Sequence, residues 1–270
     1  MKIETDSLDD LRSIAMQAPR RQSGILVFRN FEIEYDDLLS LYMEIKNIFE
    51  NRIYDFRPVP ERSMVIVDGG AHLGLAALRF HSLCPEARIR CFEPDPGICA
   101  MLRRNLARNG LASVEVVESG LSDCEGLSRF EADGADGGRM IDASAPPSGS
   151  MTIHSERLSA HIAALGGRLD FLKLNIEGME LPVLRELEAV GQLASIDRLV
   201  LEYHGWAGGE QRLGPVLDLL DRNGFRYLVH DFDHETNAAS KPPFRNAGQT
   251  TWFALVYGSR VDAPLGETRT

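Results

Sequence analysis

The sequence predicts an α/β fold, a mostly parallel seven-stranded sheet with helices on both faces, entered through an N-terminal helical cap. Three observations predict it. From residue 64 onward, short apolar runs alternate with helix-like segments, the pattern of strands joined by crossover helices. At 65–74 one such run passes straight into a glycine-rich turn and then a helix. Hydrophobic residues make up 44% of the 270-residue chain, enough for one large core.

Residues 6–18 and 36–50 read as helices, the second because Leu38, Leu39, Tyr42, Ile45 and Phe49 recur at helical spacing. They form the expected cap, residues 1–60. Pro58 and Pro60 then break the chain before Met64-Val65-Ile66-Val67. Expected strands cover 64–68, 88–92, 113–117, 169–175, 197–203, 225–230 and 251–257, with helices at 74–83, 96–108, 178–190 and 210–222. Asn109-Gly110 and Asn223-Gly224 suit helix ends, because both residue types tolerate positive φ. No helix separates the last two strands, so the final one is expected to run antiparallel. The main domain thus spans 61–260, followed by a polar tail at 261–270. Within it, residues 131–150 carry Gly134, Gly137, Gly138, Pro146, Pro147 and Gly149 among small polar residues, the composition of a lid-like loop.

Charge narrows the partners. Against 29 basic residues stand 40 acidic ones, a net of −11, which repels phosphate backbones and argues against nucleic acid. A neutral or cationic small molecule suits such a surface. The segment Met1 to Asp6 lacks the pattern of a signal peptide, and no apolar run reaches membrane-spanning length. Cys84, Cys91, Cys99 and Cys124 form no CxxC pair or metal-ligand spacing. They read as reduced, buried thiols of a cytoplasmic protein. Nothing in the sequence specifies an oligomeric state.

The chemistry is concentrated at strand ends. Val65 to Gly74 reads VIVDGGAHLG, in which Gly70 and Gly74 allow close backbone approach and helix packing, and Asp68 closes the strand. The spacing is DxGxxxG. A nicotinamide dinucleotide site needs GxGxxG to seat a diphosphate, so an oxidoreductase is disfavoured and a nucleoside-methionine ligand is favoured. About 25 residues later the next strand ends in Glu93, placed to accept hydrogen bonds from ribose hydroxyls.

Together these motifs resemble those of the FkbM-type methyltransferases, whose pattern is DxGANxG, FEPxP, LSD and KxDxEG. This chain has Asp68 to Gly74, Phe92-Glu93-Pro94-Asp95-Pro96, Gly120-Leu121-Ser122-Asp123 and Lys173-Leu174-Asn175-Ile176-Glu177-Gly178. The resemblance covers roughly residues 50–205. It implies a Rossmann-like class I methyltransferase fold, with S-adenosylmethionine as methyl donor. It places Asp68, Gly70, His72, Gly74, Glu93 and Asn175 at the cofactor, with Ser119, Gly120 and Leu121 against the adenine. Two positions depart from the family pattern: His72 replaces its Asn, and Asn175 replaces its Asp. The second departure keeps a non-catalytic cofactor-binding protein among the alternatives.

Several other polar side chains come from neighbouring strand ends. Glu177 follows the fourth strand of the main sheet, and Glu202, Tyr203 and His204 end the fifth. Strand periodicity puts Glu202 and His204 on one face. The expected mechanism is transfer to a hydroxyl of a small-molecule or sugar-bearing metabolite, with His204 as general base, Glu202 or Glu177 orienting it, and Lys173 or Glu177 as the alternative base. Lys173 lies within a strand and is expected to pair with Glu177 or Glu202. An amine acceptor is the second reading. His230, Asp231, Asp233 and His234 carry metal-ligating side chains, but displacement at a sulfonium needs no Lewis acid, so no metal is expected. Tyr54 and Phe56, just before the sheet, either close over the cofactor or pack the cap.

Overall fold

The computed structural model describes residues 2–59, 62–132, 138–141, 150–205, 210, 212–231 and 252–260. The central sheet is built from β4 (Val65–Gly69), β5 (Arg88–Phe92), β6 (Glu115–Val117), β11 (Phe171–Leu174), β12 (Arg198–Gly205), β13 (Phe225–His230) and β14 (Trp252–Arg260). Their order is β13-β14-β12-β11-β4-β5-β6. Only β14 runs against its neighbours, pairing antiparallel with both β12 and β13. Seven strands, mostly parallel, with the last one reversed, match the expectation from sequence.

The chain enters at the middle of this sheet. It winds outward through β5 and β6, then returns to lay β11 on the other side of β4 and continues to β12. Ligands of open α/β sheets bind at the carboxyl ends of the strands flanking such a reversal. Here that position lies between β4 and β11, where Lys173 stands in register with Asp68 and Leu174 with Gly69.

Helices α3 (Leu75–Leu83), α4 (Pro96–Arg108), α6 (Glu180–Ala189) and α7 (Leu213–Arg222) lie between these strands, as the periodicity predicts. Local chemistry sets their starts. The Asp95 carboxylate accepts from the amides of Gly97 and Ile98, and Pro96 supplies the first helical residue. Gly74, at φ 92°, begins α3 in a left-handed conformation. A Cβ there would meet Leu102 at 2.7 Å, so the glycine lets α4 pack close to the turn.

The N-terminal unit differs from the helical cap expected. Helices α1 (Leu8–Ala15) and α2 (Leu38–Ile45) are present, the latter extended by a π-turn over Lys46–Glu50. Between them lie strands β2 (Gly24–Phe28) and β3 (Phe31–Tyr35), which with β1 (Lys2–Thr5) make a three-stranded sheet. The β2–β3 hairpin turns through Arg29, at φ 55°, and Asn30 without a glycine, so it lacks the Asn-Gly or Asp-Gly pair that marks a tight hairpin most strongly. The unit is fused to the main domain through one continuous core, in which Ile33, Leu41 and Ile45 belong with Leu73, Phe80 and Leu106. Asn105 of α4 and Asn109, which caps that helix, also hold the backbone of β3 at Glu34 and Glu32.

A second small sheet, β7 (Gly120–Ser122), β10 (Met151–Arg157), β8 (Gly126–Ala132) and β9 (Gly138–Ile141), is also additional to the sequence reading, as is α5 (Leu158–Ala164). Most of the expected 131–150 loop, and the 261–270 tail, lie outside the described residues. Three thiols, Cys84, Cys91 and Cys99, are buried as expected, whereas Cys124 is exposed. No helix among the described residues is long and apolar enough to cross a membrane.

Candidate active site

The glycine-rich turn is held from below. Gly70 has φ 73°, and a Cβ there would lie 1.8 Å from the Asn175 carbonyl oxygen. Only glycine fits both the dihedral and the contact. Beneath it, Asp68 is fully buried, and its carboxyl oxygen Oδ1 lies 2.9 Å from the Lys173 ammonium. Lys173 also donates to the Gly70 carbonyl at 2.6 Å. The partner of Lys173 is therefore Asp68 rather than Glu177 or Glu202, because the parallel β4–β11 register sets the two side by side. Burial raises the Asp68 carboxyl above the usual range, and Lys173 opposes that shift.

His72 follows at φ 47°, a conformation in which Asn and His are among the better-tolerated residues. Its amide donates to Glu93 Oε2 at 3.0 Å, and its ring Nδ1 meets the Glu44 carboxylate of α2. Glu93, 6% exposed, accepts from the Asp95 amide through its other oxygen at 2.9 Å. Burial raises its pKa. Each oxygen keeps a second lone pair, so the carboxylate can accept from two vicinal hydroxyls while fixed by the His72 and Asp95 amides.

The third element is at β12. His204, 6% exposed, is enclosed by three carboxylates: Glu177 at 3.3 Å, Glu180 at 3.7 Å and Glu202 at 3.9 Å. Burial alone would lower its pKa, but the neighbouring Glu180, Glu177 and Glu202 carboxylates outweigh it and raise the pKa to about 9. The surrounding carboxylates therefore favour the imidazolium form at neutral pH. Phe253 of β14 closes one side, edge-on at 5.1 Å. Glu202 also accepts the Tyr54 hydroxyl at 2.8 Å, and its pKa is raised, first by burial. Tyr203 points elsewhere, packing against the tilted ring of Trp252 and accepting the Arg212 amide.

Ser119, Gly120 and Leu121 lie at the start of the small sheet. The Ser119 hydroxyl donates to the carbonyls of Gly120 and His154, and Leu121 sits in the core with Val67 and Phe92. His230 and Asp231 fall at the far end of β13; Asp233 and His234 lie outside the described residues. Among the described residues, no three His, Cys, Asp or Glu side chains are grouped to hold a metal ion.

Two groups in this site escape sequence reasoning. Glu180 interrupts the apolar stripe of Val183, Leu184 and Leu187 on α6; an acid on such a stripe is the one signal available. Glu44 carries no local signal and arrives from 28 residues before His72.

The residues suit a sulfonium nucleoside. Asn175 Oδ1 is buried without a hydrogen-bond partner among the described residues, an open acceptor at the sheet reversal. Glu93 offers acceptors for hydroxyls, and the nearby carboxylates complement a cation. The FkbM methyltransferase domain matches residues 68–227. The chain belongs to this family. Residues 68–227 are its methyltransferase domain, of a family that uses S-adenosylmethionine as methyl donor. Among relatives, the AMB antimetabolite synthetase AmbE of Pseudomonas aeruginosa is 31% identical over 75% of this chain, although the match spans only 12% of that protein. Methyltransferase 1 of Beauveria bassiana is 27% identical over 68% of this chain and 80% of its own length. The 2-O-methyltransferase NoeI of Sinorhizobium fredii is 38% identical over 27% of this chain and 29% of its own.

Proposed function

We propose that this FkbM methyltransferase methylates a hydroxyl of a small-molecule or sugar-bearing metabolite, with Glu202 taking the proton. The observation that carries this reading is the grouping of Glu177, Glu180 and Glu202 around one imidazolium, His204. S-adenosylmethionine supplies an electrophilic methyl with a built-in leaving group. The residues of the chain have two tasks, to hold the acceptor oxygen in line and to remove its proton.

A protonated His204 cannot serve as base at neutral pH. It fixes the surrounding carboxylates, and Glu202, whose pKa burial raises, is the better acceptor. Glu93 would hold the ribose hydroxyls, Gly70 and Gly74 would allow close approach, and Asn175 would take a donor from the methyl donor. Asp68 and Lys173 set the turn from beneath, and Ser119 to Leu121 would border the adenine. The 2-O-methyltransferase among the relatives supports oxygen as acceptor. The acidic surface favours a small acceptor over nucleic acid, and the free cysteines suit a reducing cytoplasm.

The test is methyl transfer from labelled S-adenosylmethionine to a panel of hydroxyl and amine acceptors. Label in an ether is expected, unaffected by chelator, with Glu202→Gln reducing kcat by about 10²-fold or more. Label appearing only in amines overturns O-methylation. Cofactor binding with no transfer to any acceptor would leave a non-catalytic binding protein.

A further inference from the structure

Tyr54 lies outside residues 68–227 that match the family domain, in the N-terminal segment between the π-turn and β4. It is nonetheless buried at the heart of the site. Its hydroxyl donates to Glu202 Oε2 at 2.8 Å, and its ring faces the Lys173 ammonium at 5.3 Å from the centroid. It thus touches both the carboxylate at the end of β12 and the lysine that holds Asp68 and Gly70. The strand supplies only one half of this arrangement; the other half comes from 148 residues earlier.

We propose that Tyr54 is a positioning residue for methyl transfer, fixing the Glu202 carboxylate through its hydroxyl. The inference rests on the reading of Glu202 as proton acceptor. A carboxylate has two rotatable bonds beyond Cβ, and one firm donor on Oε2 sets the plane of the group. Oε1 is then left facing His204, at 3.9 Å. Tyr54 is a suitable donor because it stays protonated: burial, then the Glu202 charge, raise its pKa well above the usual value. A donated hydrogen bond also favours the ionised carboxylate, opposing burial. The other groups facing Glu202 are Lys173 on β11, Glu180 on α6, His204 on its own strand and Tyr257 on β14. Among the described contacts Tyr54 hydrogen-bonds Glu202, whereas Tyr257 is a neutral phenol whose own pKa burial and then the Glu202 charge push up to about 12.

The test reads Glu202 directly, by carbon NMR of carboxyl-labelled glutamate in protein saturated with S-adenosylhomocysteine. Glu202→Gln assigns the resonance. Tyr54→Phe keeps the ring over Lys173 and removes only the hydroxyl. It is expected to raise the Glu202 titration midpoint by about half a unit or more, while S-adenosylhomocysteine affinity changes less than about threefold. Tyr257→Phe is expected to leave the midpoint in place. With an acceptor found by the labelled-methyl screen, the acid limb of kcat should move upward with the midpoint, and KM for the methyl donor should hold. An unmoved midpoint in folded Tyr54→Phe, or equal shifts in both variants, overturns the proposal. Because the titration needs no acceptor, it is decided even if no hydroxyl is methylated. A shifted midpoint with an unshifted kcat profile would overturn the positioning role alone.

Discussion

Glu177 holds its carboxylate 3.3 Å from His204 Nε2 while its own backbone sits at φ 56°, a region that side chains rarely occupy. His72, at φ 47°, shares this left-handed conformation across the site, where imidazole side chains are better tolerated. Such strain is maintained where surrounding contacts over-determine it. At Glu177 it turns an acid inward to complete the carboxylate ring around the imidazolium.

That ring makes stability depend on pH with a definite sign. His204 is raised from 6.5 to about 9 in the folded protein. The contribution is therefore complete below pH 6.5 and is lost as pH rises through 9. The shift corresponds to about 3 kcal/mol. Melting temperature should fall more between pH 6.5 and 9.5 in the native protein than in His204→Gln. Equal falls in both would show that the imidazole is not held as a cation.

Glycine substitutions separate steric need from simple backbone preference. Gly70 and Gly110 share similar dihedrals, φ 73° and 79°, but a Cβ at Gly110 meets nothing within 4 Å. Gly110→Ala should cost about 1–2 kcal/mol, the left-handed penalty alone. Gly70→Ala must also displace the Asn175 carbonyl, and should cost more than about 3 kcal/mol. Urea unfolding measures both, and equal costs would mean that the β11 end moves freely.

Glu93 tests the cofactor contact. Removing its carboxylate strands the His72 and Asp95 amides and any ribose hydroxyl it binds. Glu93→Ala should weaken S-adenosylhomocysteine by about 1–3 kcal/mol, roughly 5- to 150-fold. Calorimetry with NAD should give no binding. Unchanged affinity for the nucleoside would move the ribose elsewhere.

What the sequence could reveal follows from distance along the chain. The β4 turn and Glu93 were legible because each motif is local: strand, glycine spacing and terminal acid are written consecutively. Glu202 and His204 were legible as a same-face pair because strand periodicity fixes them. Their electrostatic state was not, since Glu180 comes from the next helix and Tyr54 from the N-terminal unit. The β2–β3 hairpin escaped because its turn uses Arg29 where glycine would be the signal. The polar strands of the β7–β10 sheet lacked the long apolar runs that marked the central one.

The Asp68–Lys173 pair offers the last prediction, and it separates support of the turn from direct ligand contact. Both groups are essentially out of water, at 0% and 3% exposure. Removing one partner of such a pair leaves the other charged and buried, which typically costs 3–5 kcal/mol, whereas removing both costs much less. Lys173→Met should therefore destabilise by about that amount, and adding Asp68→Asn should restore a large part of it. The coupling should reach about 2–3 kcal/mol in a double-mutant cycle. Lys173 also anchors the Gly70 carbonyl, so the double variant should regain stability without regaining full cofactor affinity. If affinity recovers completely along with stability, the pair acts only as a buried prop. If stability fails to recover, the loss comes from the unanchored turn rather than from the stranded carboxylate.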